Sequence, residues 1–183
     1  MTAALLGAGF RLRRATEEDL PYLLALAGRP AVADFLAAVS PWSEEDARTA
    51  LSADPREEGR FVLEVGEGGA WDPAGGLAFT VANRRSRIAY LFGVMVDPEH
   101  RGRGLAARSS RLLAEHLIRD LGYHRVQLEV YEFNAGAQRA FERAGFVREG
   151  ARRNAYWRHG QWHDGVLFGL VEEDFAEEDL DEA

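Results

Sequence analysis

The feature that most constrains this chain is a pair of glycines between its most continuous apolar stretch and its longest amphipathic pattern. Ile88 to Val96 reads as a strand, interrupted by Gly93 where a bulge is expected. Leu105, Leu112, Leu113, His116, Leu117 and Leu121 recur at helical spacing, which predicts a long helix. Between them lies Asp97-Pro98-Glu99-His100-Arg101-Gly102-Arg103-Gly104. Glycine lets the backbone approach a ligand, and the unpaired N–H groups of a first helical turn suit a phosphate or pyrophosphate. The turn lacks the Lys and Ser/Thr of a Walker loop and the third glycine of a Rossmann fingerprint, so alone it supports anion binding and nothing narrower. The competing reading is a tight turn with solvated arginines.

The flanking segments predict an α/β chain. Phe10 to Arg14 reads as a strand, and Thr16 with Glu17, Glu18 and Asp19 caps a helix carrying Leu20, Leu23, Leu24 and Leu26. Ser43 and Asp46 open a short helix to about Leu51, and Phe61 to Val65 returns to strand. Residues 66–76 read as a glycine-rich connection to a strand at Leu77 to Val81. Beyond the long helix, Val126, Leu128 and Val130 alternate with Gln127, Glu129 and Tyr131 in a strand. Asn134 precedes a helix marked by Ala137, Ala140, Phe141 and Ala144, and two strands then flank the turn Arg158-His159-Gly160-Gln161.

At 183 residues and 20.3 kDa, one domain over residues 1–171 is expected, followed by an acidic tail, 172–183, with the composition of a disordered segment. That tail holds eight of the thirty carboxylates, so the remainder balances 22 acidic against 22 basic residues. A neutral body argues against nucleic acid as a partner, and no apolar run is long enough to span a bilayer. Every basic residue is arginine, which excludes a Schiff-base lysine, and the absence of cysteine excludes disulfides, thiolate metal sites and cysteine nucleophiles. The segment after Met1 lacks the pattern of a secretory signal, so a cytoplasmic location is expected. His159, His163 and Asp164 flank a hairpin turn with no further His or Cys nearby, so no metal is expected.

Arg101, Gly104 and Ala106 match the Arg/Gln-x-x-Gly-x-Gly/Ala signature, and Asn134, Phe141 and Gly145-Phe146 follow in the order of a second one. Together the two segments resemble the GNAT acetyltransferase family, with the resemblance running from about Phe10 to Leu170. Glu149 to Arg153, Tyr156-Trp157 and Gln161 to Asp164 resemble its branch containing the ribosomal-protein N-acetyltransferases. The resemblance implies a central mixed, twisted sheet with splayed strands and helices on both faces. It implies acetyl-CoA as cosubstrate, with the pyrophosphate cradled by Arg101, Gly102, Arg103, Gly104, Leu105 and Ala106. Pantetheine would lie along Val94, Met95 and Val96, beside Asn134 and Phe141.

Acetyl transfer to a primary amine needs a proton acceptor and stabilisation of the oxyanion and departing thiolate. Glu129 matches the catalytic glutamate position of related ribosomal-protein alanine acetyltransferases, five residues before Asn134; an exposed strand glutamate paired with arginine would look the same. A second glutamate position holds Leu91, and the family's acid positions hold Phe141 and Ala137, so Tyr90, Tyr131 and Tyr156 are the remaining donors. The sequence therefore predicts an N-acetyltransferase acting on a protein N-terminus or a small-molecule amine. A catalytically degenerate acyl-CoA-binding module is the alternative, and the acceptor and a homodimer are left open.

Overall fold

The computed structural model describes residues 4–36, 44–67 and 69–175. Strands β1 (Leu5–Gly7) and β2 (Phe10–Arg14) precede helices α1 (Leu20–Ala27), α2 (Pro30–Ala33) and α3 (Glu44–Leu51). A meander follows: β3 (Glu58–Glu67), β4 (Ala70–Asn83) and β5 (Ile88–Val96). The chain continues through α4 (Leu105–Glu115), β6 (Arg125–Tyr131), α5 (Ala135–Arg143) and the hairpin β7 (Val147–Arg158) and β8 (Gln161–Val171). The eight strands form one sheet in the order β1-β2-β3-β4-β5-β6-β8-β7. Every pairing is antiparallel except β5 with β6, whose parallel register requires the α4 crossover.

Alternation along the strands sends side chains to opposite faces. Phe61 and Leu63 join the main core with Phe79, Leu91, Leu128 and Phe168 beneath α4 and α5. Val62 and Met95 turn the other way and pack with Leu23, Leu26 and Val32 of α1 and α2. The sheet is thus mixed and covered by helices on both faces, as the family resemblance implies. At the start of α1, the Asp19 carboxylate accepts from the Thr16 N–H (2.7 Å) and hydroxyl (3.0 Å), the side-chain reach that a capping box needs.

Residues 66–76, expected to be a connection, are mostly strand: β3 runs to Glu67 and β4 restarts at Ala70. The glycines there serve close approach. A side chain on Gly75 would overlap the Met95 carbonyl, and one on Gly76 would come within 2.7 Å of Leu23 Cδ2. The expected long helix stops at Glu115 and gives way to a π-helical stretch, His116–Asp120. The packed domain also extends beyond Val171, because Phe175 is only 2% exposed and stacks beneath Arg111 and Arg119. The rest of the expected tail, 176–183, and the expected cap Ser43 lie outside the described residues. Strand β1 is an addition: three residues with Leu6 exposed give too little alternation to read.

Candidate active site

β5 and β6 pair only from Ile88 to Tyr90 with Arg125 to Gln127, and no ladder joins them beyond. At the point of separation β5 bulges: Gly76 opposes Met95 and Ala78 opposes Phe92, leaving Gly93 and Val94 across from Leu77 alone. Gly93 has φ +62, a conformation that suits glycine, so the bulge expected from sequence is present. The parted strands open into a groove. Its outer part, about 620 Å³, is walled by Val94 to Val96, the glycine turn, the start of α4, α5 and Ala31, Val32, Phe35 and Leu36. Its inner part, about 100 Å³, shares Val94, Ala106, Asn134 and Ala137 and ends against Tyr90, Phe92, Glu129 and Phe141.

Gly102 (φ +81) and Gly104 (φ +68) bring the chain into α4, and Gly104 is its N-cap. No atom lies within 4 Å of where a side chain on Gly102 would project, so the turn is open towards a ligand. The first-turn N–H groups of α4, with the positive end of the helix dipole, sit at this opening. Asp97, 6% exposed, braces the turn by accepting from the Glu99 N–H (3.2 Å) and both bonds from Arg29 (3.0 Å each).

The arginines behave differently from expectation. Arg101 lines the groove, but its guanidinium turns back to donate to the carbonyls of Val96 (3.3 Å) and Ala31 (2.8 Å). Arg103 is exposed and outside the lining. Gly102, Gly104, Leu105, Ala106 and Val94 to Val96 all line the outer groove, as does Asn134, whose Oδ1 also accepts the Ala137 N–H (3.1 Å) and caps α5. Phe141 both lines the inner groove and packs edge-on against Phe146. Residues missed by sequence reasoning include Arg143, which follows Gly136 and Ala140 along the groove side of α5, and Phe35 and Leu36. The spacing of Gly136, Ala140 and Arg143 was the available signal for the first.

Segment 29–36 is tied across the groove at both ends. Arg29 and Arg101 hold it to the glycine turn; at the other end Tyr131 (3.3 Å) and Arg158 (3.3 Å) donate to the Leu36 carbonyl. Arg158 also donates to the Tyr131 hydroxyl (2.9 Å), so that hydroxyl is fully engaged.

Glu129 stands on the α1 and α2 side of β6, with its side chain only 3% exposed. Oε2 pairs with Arg152 Nη1 at 3.2 Å, while Oε1 is buried without a hydrogen bond of good geometry, and the Tyr156 hydroxyl leans on the same carboxylate. Around it, burial first and the Glu129 charge second push Tyr90 up to about 12 and Tyr156 higher still, so both stay protonated donors at neutral pH. Tyr90 lines the inner groove; Tyr156 does not. His163 is buried with Nδ1 2.9 Å from Glu132 and its ring edge-on against Phe133.

A splayed parallel pair with a glycine-capped helix at its mouth is the architecture implied by the sequence resemblance, and residues 10–147 match the family described as acetyltransferase (GNAT) domain. The chain belongs to the GNAT family. It is 33% identical over 91 residues to the uncharacterized, SPbeta prophage-derived N-acetyltransferase YokL of Bacillus subtilis, a match covering 50% of this chain and 51% of that protein. It is 26% identical over 176 residues to spermidine N(1)-acetyltransferase of Escherichia coli, covering 92% and 89%. It is 39% identical over 97 residues to the [ribosomal protein bS18]-alanine N-acetyltransferase of Salmonella typhimurium, covering 51% and 62%. The match thus spans about half the length of several of these GNAT relatives. In fold, it is similar to spermidine N-acetyltransferase from Vibrio cholerae in complex with CoA and spermine (TM-score 0.79, 22% identity, 92% of this chain and 98% of that one).

Proposed function

We propose that this GNAT protein transfers the acetyl group of acetyl-CoA directly to a primary amine. The observation that carries the proposal is a groove running from the open N-terminus of α4 to a buried carboxylate, Glu129, at its inner end. The donor set fits coenzyme A: free first-turn N–H groups and two glycines for the pyrophosphate, and strand β5 freed from β6 for an extended pantetheine arm. Bound acetyl-CoA supplies a thioester, whose thiolate is a better leaving group than an alkoxide. The chain's own residues supply the remainder. Val94 to Val96 offer backbone hydrogen bonds to the pantetheine amides, and groove walls of Ala106, Ala137 and Phe141 exclude water from the acyl end. Glu129 takes a proton from the acceptor ammonium, freeing the amine to attack the thioester, and its salt bridge to Arg152 holds the carboxylate in place for that task. Phe141 cannot protonate the departing sulfur and Tyr131 donates to Leu36, which leaves Tyr90 at the inner groove or water for that step. A purely acyl-CoA-binding module has no use for a buried carboxylate at the end of its groove.

The acceptor we infer is a protein N-terminus or other single amine, in preference to a polycation. Glu129 is the single carboxylate lining the groove among the described residues, while His100, Arg101 and Arg143 also line it. Several separated carboxylates would be needed to hold a triamine. With no cysteine to form disulfides, the cytoplasm is the proposed location; among the described residues no helix is long and apolar enough to cross a membrane. The test is acetyl-CoA turnover with alanine- and serine-started peptides, spermidine and free amino acids, reading thiol release and acetylated product. Peptide acetylation exceeding that of spermidine is expected; coenzyme A binding without acetylation of any amine would overturn the activity.

A further inference from the structure

On β8, glycines stand opposite the side chains of two glutamates from neighbouring strands. Gly165 pairs with Tyr131 of β6 on one side and Arg152 of β7 on the other, and a side chain on it would overlap Glu129 Oε1. The same added carbon would lie 2.8 Å from Glu129 Cδ and 2.8 Å from the Tyr156 ring at Cε2. Four residues on, a side chain at Gly169 would overlap Arg125 Nη2 and Glu149 Oε1. Neither glycine has the positive φ that would itself demand glycine, so side-chain space alone sets the requirement at both.

The two positions differ in what their neighbours can do. Arg125 and Glu149 pair at 2.7 Å with side chains 23% and 41% exposed, so either swings into water when crowded. Glu129 has 3% exposure and Arg152 on one oxygen, and the space open to it is the inner groove it already lines. Crowding from Gly165 therefore drives the carboxylate into the volume where the acceptor nitrogen must sit.

We infer that Gly165 is the positioning residue for Glu129, its bare Cα forming the seat that holds the carboxylate at the groove wall. This rests on the reading of Glu129 as proton acceptor. A displacement of about 1 Å in a reacting group is enough to cost roughly 10²-fold in rate. Gly165→Ala accordingly lowers kcat by about 10- to 100-fold and leaves the acetyl-CoA KM within about twofold. Gly169→Ala, whose crowded neighbours are free to move, changes kcat by less than about twofold.

The decisive experiment is a cycle between positions 165 and 129, with an alanine-started peptide and spermidine as acceptors. Glu129→Asp shortens the side chain by one methylene: in the parent it withdraws the carboxylate and lowers kcat, whereas in the Gly165→Ala background it relieves the overlap and raises kcat. Equal losses in both backgrounds, or an unchanged kcat in Gly165→Ala, would overturn the inference. Thermal melting reads the same seat without turnover. Gly165→Ala lowers Tm less when combined with Glu129→Ala than in the parent, and equal drops would likewise count against it. Failure of the underlying reading is separately visible: an unaltered pH–rate profile in Glu129→Gln removes the base role, and the melting cycle then decides the seat alone.

Discussion

Glu129 and Arg152 lie two strands apart in the sheet, and the pair reads identically in sequence as a surface salt bridge or as a base with its counter-ion. Burial distinguishes them: the Glu129 side chain is enclosed while the Arg152 side chain is 63% exposed, so the carboxylate is held at the groove wall rather than at the surface. Glu129→Gln is therefore expected to lower kcat/KM by about 10²-fold between pH 6 and 7.5, where the amine is mostly protonated. The deficit shrinks as pH rises and the amine loses its proton unaided, and coenzyme A affinity is unchanged. A stopped-flow or steady-state pH series on both proteins checks it, and coincident profiles would remove Glu129 from the mechanism. What Glu129 does was partly legible, because its spacing from Asn134 is short. The role of Gly165 was not: a strand glycine carries no signal until the cross-strand register places it under a carboxylate.

Among the elements, the strand, glycine turn and helix around residues 88–115 were readable because apolar continuity, φ-permissive glycines and helical periodicity all change at the same boundaries. Their arginines were not, since Arg101 spends its donors on Ala31, 70 residues away, a contact that local sequence cannot show. Residues 66–76 misled for a related reason: glycine count suggests a loop, while Gly75 and Gly76 serve close packing against Met95 and Leu23 in a strand. Helix α5 presents Phe141 both to the inner groove and to Phe146, where the family's acid would stand. Phe141→Tyr adds a hydroxyl there at a stability cost of about 1–3 kcal/mol if its partner is missing. If protonation of the departing sulfur limits turnover, kcat rises severalfold; if not, kcat stays level. A large fall in kcat with Tm and coenzyme binding intact would show instead that the bare ring shapes the acceptor site.

For the whole molecule, burial of tyrosines sets the alkaline limit. Tyr22 and Tyr90 are each pushed up to about 12 and Tyr123 and Tyr156 are also raised, in every case with burial as the first cause. Unfolded tyrosines ionise near about 10, so from there to about 12 the unfolded chain sheds protons that the folded chain keeps, and stability falls with rising pH. Phenolate absorbance of these four tyrosines should thus lag behind pH 10 and rise together with loss of ellipticity. Titration of most of them near pH 10 in a still-folded protein would contradict this packing.

The central claim is that the glycine turn opening α4 binds coenzyme A through its backbone. Isothermal calorimetry of coenzyme A against the parent and Gly104→Val tests it most directly, because Gly104 holds φ +68, where a β-branched residue is strained and must turn the first N–H groups away. The account predicts measurable binding to the parent and loss of at least about tenfold in affinity in the variant with the fold intact by circular dichroism. Equal affinities in the two folded proteins would contradict it.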